Sequence, residues 1–155
     1  MDKDEFAIRI EDMRQRLYKT AYMYMGNRSQ ALDVLDEAIY KALCNFKKLR
    51  HPEYFDTWIT RILINECNNE LCRQKRFYPI DEVTEKSDFD FDSLPLKEAI
   101  LNLPKDLKDV VILRYFSGFT IVETAKMLKI PQGTAATRQR KALKLLKLEL
   151  EEAEK

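Results

Sequence analysis

Histidine occurs once in these 155 residues, at His51, and cysteine three times, at Cys44, Cys67 and Cys72, with no CxxC spacing. A His/Cys zinc site is therefore excluded, and no metal ligands are assigned. Reduced thiols filling apolar helix faces are expected instead. Only three glycines and five prolines interrupt the chain, which favours long helices over a strand-and-turn fold. No apolar run approaches the roughly 18 residues that span a bilayer. The opening Met1-Asp2-Lys3-Asp4-Glu5 lacks the apolar core of a secretion signal, so a soluble, cytoplasmic protein is expected. No Gly-rich phosphate loop and no Ser/His/Asp set occurs either. An enzyme, a cofactor and a small-molecule substrate are accordingly not expected.

Net charge is almost absent too. The 27 Lys and Arg face 26 Asp and Glu, a formal charge of +1, so only the placement of charge informs about partners. That placement is uneven. From 126 to 148 there is no acid, while Lys126, Lys129, Arg138, Arg140, Lys141, Lys144 and Lys147 supply seven bases. The run "DEVTEKSDFDFD" (81–92) is the reverse, with Asp81, Glu82, Glu85, Asp88, Asp90 and Asp92 against Lys86 alone. A solvated lysine-rich face usually mixes in glutamate, as 149–154 does with four. A helix lying between two phosphate rails excludes acids, because each would be repelled and each base there displaces a condensed counterion.

What apolar residues there are recur at helical spacing. Phe6, Ile10, Met13, Leu17 and Ala21 make one stripe reaching Met25. Gly26 suits a left-handed stop, and Asn27 with Gln30 a cap for the next helix. That second helix puts Ala31, Leu35, Ala38, Ala42 and Phe46 on one face, with Leu32, Ile39 and Leu43 alongside and Asp33, Asp36, Glu37 and Lys41 outside. After the His51-Pro52 break, a third helix from about Thr57 to Lys75 shows Trp58, Ile59, Ile62, Leu63, Cys67 and Leu71. Residues 77–95, bracketed by Pro79 and Pro95, lose all periodicity and read as an extended acidic linker. Beyond it, Leu96, Ile100 and Leu103 mark a short helix stopped by Pro104. Leu107, Val110, Val111 and Leu113 mark another that ends near Gly118.

Thr120-Ile121-Val122-Glu123 fits a capping box, opening a short helix with Val122, Ala125 and Leu128 inward. Lys129 to Gly133 form a turn, since Pro131 cannot continue a helix and Gly133 tolerates torsions that other residues resist. A longer helix starts near Thr134 with Ala135, Ala142, Leu145 and Leu146 facing in. This is a helix-turn-helix layout. The expected fold is all-α, with two small helical domains, 1–76 and 96–155, joined by the acidic linker 77–95.

Three blocks carry a family resemblance. "LYKTAYMYMGNRSQALDVLDEAIYKA" (17–42) resembles regions 2.1 and 2.2 of the extracytoplasmic-function (ECF) sigma factors of bacterial RNA polymerase, and "FDTWITRILINECNNELCRQKR" (55–76) resembles their regions 2.3 and 2.4. "LPKDLKDVVILRYFSGFTIVETAKMLKIPQGTAATRQRKALKLL" (103–146) is similar to region 4. The last block is the most specific, but a similar one ends many response regulators, so the first block settles the matter. The resemblance implies a protein that binds core RNA polymerase and promoter DNA and does no chemistry of its own. It further implies an alternative sigma factor for envelope or stress response, controlled by an anti-sigma factor that can hold it at the inner membrane face.

By the same resemblance, Asp33, Asp36 and Glu37 match the face that docks on polymerase, and an acidic helix suits a basic partner. Asn65 matches the pocket for a flipped base of the minus-ten element, with Asn68 and Asn69 assisting; an amide both donates and accepts. Arg73, Lys75 and Arg76 would hold phosphates. Ala136, Thr137, Arg140 and Lys141 match the face that reads the minus-thirty-five element, with Arg140 and Lys141 suited to guanine O6 and N7. Arg138 would favour phosphate, Arg114 matches a DNA-contacting arginine, and Thr120 and the Thr134 backbone N–H would take phosphate at helix N-termini. The acidic linker resembles the segment that the family threads toward the RNA-exit path. Ala135 and Gln139 depart from the family pattern, standing where larger apolar residues are usual, which predicts loose packing of the recognition helix. Ala136, Leu43 and Asp36 depart from it as well. The rival reading is a free-standing helix-turn-helix regulator dimerising on a palindrome, which needs no amino-terminal docking domain.

Overall fold

A computed structural model describes residues 1–77 and 94–153, with side chains over 1–77 and 95–148. The acidic run 81–92 and Pro79 lie outside the described residues. Two compact units divide the chain, Met1–Asp88 and Phe89–Lys155. Among the described residues every regular element is helical.

The first unit begins with a capped helix. Asp2 Oδ1 accepts from the Glu5 N–H at 2.8 Å, and Asp4 and Glu5 place negative charge against the positive helix end. Helix α1 (Lys3–Met25) ends at Gly26, whose φ of 84° lies in the left-handed region that glycine enters without a Cβ clash. Asn27 Oδ1 then accepts from the Gln30 N–H at 2.8 Å and starts α2 (Arg28–Asn45). The Gln30 side chain accepts from Gln74 Nε2 at 3.0 Å. Two 3-10 turns, Phe46–Lys48 and Pro52–Tyr54, lead into α3 (Phe55–Phe77).

All three helices touch one another. Leu17, Leu35, Ile59 and Leu63 are at most 1% exposed, so the periodicity argument locates the core, and Phe55, outside the expected stripe, is buried with them. Phe6 packs edge-on against Phe55 at 5.8 Å and tilted on Phe46 at 4.9 Å. Arg9 lies over the Phe55 ring at 5.7 Å, pairs with Glu5 at 3.1 Å and donates to the Pro52 carbonyl, which ties the entry of α3 to α1.

Several expectations fail by one helical position. Val34 and Ile64 are buried, whereas Trp58, Ile62 and Leu71 are only half-buried and Leu32 and Leu43 are exposed. Of the three free thiols, Cys67 alone fills an apolar face; Cys44 and Cys72 are exposed. Periodicity defines a stripe, but the packing of three helices sets its centre.

In the second unit, α4 (Leu94–Leu101) carries Pro95 in its first turn, where a missing N–H costs nothing. Pro95 therefore opens a helix instead of bracketing a linker. Helix α5 (Lys105–Val111) runs into a π turn, Ile112–Phe116, before Gly118 at φ 82°. Helix α6 (Ile121–Leu128) has the full capping box: the Glu123 N–H donates to Thr120 Oγ1 at 3.1 Å and the Thr120 N–H to Glu123 Oε1 at 3.0 Å. Its buried residues are Thr124, Ala125 and Met127, whereas Val122 is exposed and Leu128 half-buried, because the side turned to α7 and the π turn is centred on 124–127.

The turn that follows corrects another expectation. Lys129 holds the left-handed torsion (φ 58°), while Gly133 lies inside α7 (Gln132–Ala153), which starts two residues earlier than expected. Ile130 donates its N–H to the Ala125 carbonyl at 3.0 Å and closes the turn. Helix α7 packs on α4, α5 and α6, with Ala135 and Ala142 fully buried and Leu146 at 6%. Alanine at these crossings lets the helices approach closely, and Ala135 is shut off from solvent.

Candidate nucleic-acid interface

The outer face of α7 assembles most of the sequence-derived set. Thr137, Arg140 and Lys141 are exposed and Ala136 is half-buried, one helical face at i, i+1, i+4 and i+5. Thr137 Oγ1 donates to the Gly133 carbonyl at 3.0 Å, and Arg140 Nη2 lies 3.4 Å from Thr137 Oγ1. Thr134 is half-buried and lines a shallow cleft with Asp106, Pro131, Thr137, Arg138 and Lys141. Thr120 is exposed, its hydroxyl oxygen already accepting within the cap.

Two arginines are placed differently from the rest. Arg138 Nε lies 3.9 Å from Asp106 Oδ2, so a carboxylate of α5 stands beside a cation expected to meet phosphate. Arg114 is half-buried and bonded to Gln139 and to the Phe119 carbonyl. Sequence reasoning missed both partners, because Asp106 and Gln139 are distant in sequence and carry no motif.

In the first unit the expected residues divide between two neighbouring depressions along α2 and α3. Asn65 is exposed on the first, which Trp58, Ile62, Lys41, Asn45, Lys48 and Arg50 also line. An apolar wall, two amides and three cations, one of them (Lys41) paired with the Glu66 carboxylate, make a pocket suited to a planar, hydrogen-bonding group beside negative charge. Asn69 lies in the second depression, with Asp33, Glu37, Glu66, Glu70 and Arg73, while Asn68 is half-buried and lines neither. The three asparagines therefore do not converge. The pocket's cations escaped notice because Lys48 and Arg50 lie in a segment without periodicity, and Trp58 read as a core residue.

Glu66 borders both depressions and pairs with Lys41, which raises the Lys41 pKa above its ordinary value. Arg73 is not presented as a free phosphate ligand. Its Nε and Nη2 grip Glu70 Oε2 and Oε1 at 2.9 and 2.6 Å, a bidentate fork. Lys75 and Arg76 are exposed at the end of α3, and Asp33, Asp36 and Glu37 are exposed on α2 beside Leu32, Tyr40 and Leu43. Among the described residues no group of three His, Cys, Asp or Glu is placed to hold a metal, and no helix is long and apolar enough to cross a membrane.

A helix free of acids from its start to residue 148, in a helix-turn-helix unit on the same chain as a three-helix unit with its own amide-lined pocket, defines an all-helical protein suited to DNA. Comparison with known proteins makes the class specific. Residues 9–77 match the family model for Sigma-70 region 2, and residues 93–146 match that for Sigma-70, region 4. The chain is 32% identical over 146 residues to RNA polymerase sigma factor SigV of Bacillus subtilis (strain 168), covering 91% of this chain and 88% of that one. It is 27% identical over 169 residues to ECF RNA polymerase sigma factor SigW of the same organism, covering 96% and 90%. The sigma factor RpoE solved with the anti-sigma factor NepR from Bartonella quintana superposes with a TM-score of 0.79 at 20% identity, over 95% of this chain and 97% of that one. CnrH in complex with the cytosolic domain of CnrY gives 0.74 at 16%, over 97% and 90%; these two structures show a shared fold. The chain belongs to the extracytoplasmic-function subfamily of RNA polymerase sigma factors. Members of this family are DNA-binding initiation factors, not enzymes.

Two expectations follow from the ion pairs. The fork from Arg73 holds the Glu70 carboxyl below its ordinary value of 4.5. A depressed carboxylate adds stability that is present above its unfolded pKa and is lost as pH falls through the folded one. Arg73→Ala should therefore raise the Glu70 titration midpoint by NMR, and the stability gap between variant and wild type should close in acid. Asp106→Asn should release Arg138 and tighten binding to duplex DNA at low salt, with an unchanged or steeper salt slope; weaker binding would show that Asp106 supports the interface.

Proposed function

We propose that this chain binds core RNA polymerase and directs it to promoters, the first unit melting the minus-ten element and the second reading the minus-thirty-five element as duplex. One observation carries the reading: two DNA-suited surfaces of different chemistry, the Asn65 pocket and the acid-free stretch 132–148 of α7, stand in separate units of one chain. A free-standing regulator needs only the second.

In this reading Asn65 pairs with the edge of an extruded base while Trp58 and Ile62 supply the apolar wall. Lys75 and Arg76 hold the strand leaving α3, Asn68 and Asn69 support that helix, and Arg73 serves through Glu70. On α7, Arg140 and Lys141 read bases, Ala136 and Thr137 leave room for close approach, and Arg138 with the α7 and α6 N-termini at Thr134 and Thr120 meets phosphate. The carboxylates Asp33, Asp36 and Glu37, with exposed Leu32, Tyr40 and Leu43 beside them, dock on core polymerase. An anti-sigma factor covering these surfaces holds the protein inactive, in the cytoplasm or at the inner membrane face; the NepR complex of a chain with this fold supports that regulation. The division into a domain 1–76, an acidic linker 77–95 and a domain 96–155 belongs to this reading, with Phe77 joining the first domain and Leu94 and Pro95 the second because they lie in α3 and α4.

Reconstituted transcription tests it. With sigma-free core polymerase and genomic DNA, the chain should start RNA synthesis at specific promoters, whereas operator binding with no effect on polymerase would favour the dimeric regulator. Asn65→Ala should leave duplex binding intact and lower open-complex formation, read by permanganate footprinting; unchanged melting would remove Asn65 from the pocket. Arg140→Ala should weaken recognition by about 1–3 kcal/mol at one base pair, while an equal loss on every sequence would reduce Arg140 to a phosphate contact.

A further inference from the structure

Arg114 stands in the π turn that joins α5 to the helix-turn-helix. There the helix widens: the Ser117 N–H donates to the Ile112 carbonyl at 2.9 Å and the Phe119 N–H to the Leu113 carbonyl at 3.0 Å. Such a widening re-aims the side chains it contains. The Arg114 guanidinium lies 5.5 Å from the centre of the Tyr115 ring, with Nη1 donating to the Phe119 carbonyl at 2.9 Å and Nε to Gln139 Oε1 at 3.1 Å. Phe119 immediately precedes the cap of α6. Gln139 lies on α7 between Arg138 and Arg140, one turn past buried Ala135. A single cation thus joins the entry of α6 to the middle of the DNA-facing helix.

We infer that Arg114 and Gln139 are a positioning pair that sets the rotation of α7, so that Arg114 acts on promoter recognition through Gln139. The inference rests on the sigma-factor reading above. Rotation matters because α7 is held by small side chains, Ala135 and Ala142, which resist sliding along the interface less than interlocked large ones. A turn of about 20° moves a side-chain tip about 2 Å around a helix of roughly 5 Å radius. That exceeds what a bidentate base contact tolerates. Gln139, which stands where the family pattern has an apolar residue, is the feature that makes the link polar and directional.

The test uses the full chain on core polymerase with two promoter fragments, one native and one with a scrambled minus-thirty-five element. Wild type is compared with Arg114→Ala, Gln139→Leu, the double variant and Gln139→Glu across a salt series, with melting temperatures in parallel. Both single variants should lose about tenfold in discrimination, the size of one base contact. The double should lose no more, with the salt slope unchanged in these three variants. Gln139→Glu should keep the ratio through a charge-assisted bond to Arg114 while binding both fragments more weakly, because its carboxylate stands near phosphate.

Losses that multiply in the double variant would overturn the pair. So would a slope reduced by about one phosphate in Arg114→Ala with Gln139→Leu neutral, since Arg114 would then touch DNA directly. Lowered melting temperatures with intact discrimination would overturn it too, leaving the bond a matter of stability alone. Wild-type complexes that fail to discriminate would sink the sigma-factor reading and this inference together. That outcome is told apart from failure of the pair, which leaves wild-type discrimination intact.

Discussion

A helix that lies in the major groove runs between two rows of phosphates, and this field governs what it can carry. Along residues 126–148 the chain has seven bases and no carboxylate. The nearest acid that the ion pairs bring to this face is Asp106, which comes from α5 and sits 3.9 Å from Arg138. An acid on a neighbouring element can withdraw with its side chain; one on α7 itself would be held against the phosphates. Composition is therefore most restricted on the element with least freedom to move away.

The same restriction reaches into the packing. A helix whose charged groups up to residue 148 are all cations forms no ion pairs within itself there, so its placement depends on the inner face. There α7 offers alanine at 135 and 142, both fully buried, and Leu146. Small residues permit close approach but contribute modest apolar area. The remaining definition comes from polar ties: the capping box of α6, the left-handed Lys129, the Ile130 bond to Ala125, and the link from Arg114 to Gln139. The first three close bonds that would otherwise be left open at a helix end, where four N–H or C=O groups lack partners; the last joins two side chains across elements.

Much of this was legible before any coordinates. Local devices were read correctly where they are decided by a few adjacent residues: the Gly26 stop, the Asn27 cap and the Thr120–Glu123 box each need only short-range geometry. The core stripes of α1, α2 and α3 were legible because burial follows the 3.6-residue period. Errors arose where a distant element decides. Val122 was placed inward because its own helix cannot say which face its neighbours cover. Gly133 was given the unusual torsion on residue type alone, yet Lys129 adopts it, bridging the end of α6 to Ile130 and Ala125. Lys48, Arg50, Gln139 and Asp106 carry no motif, and only folding brings them to Asn65, Arg114 and Arg138.

The near-zero net charge also has a physical reading. A chain basic throughout would bind phosphate backbones wherever it met them, and its specific sites would compete with a vast excess of other DNA. Balancing 27 bases with 26 acids removes that long-range attraction without removing the local one, because at physiological salt fields decay over about 8 Å. Within that distance the charged groups of α7 up to residue 148 are all cations, while α2 presents Asp33, Asp36 and Glu37. Segregated charge thus lets one chain repel DNA at one surface and attract it at another. Two weak contacts on one chain become selective when a promoter can engage both, since the second then binds at the effective concentration set by the first.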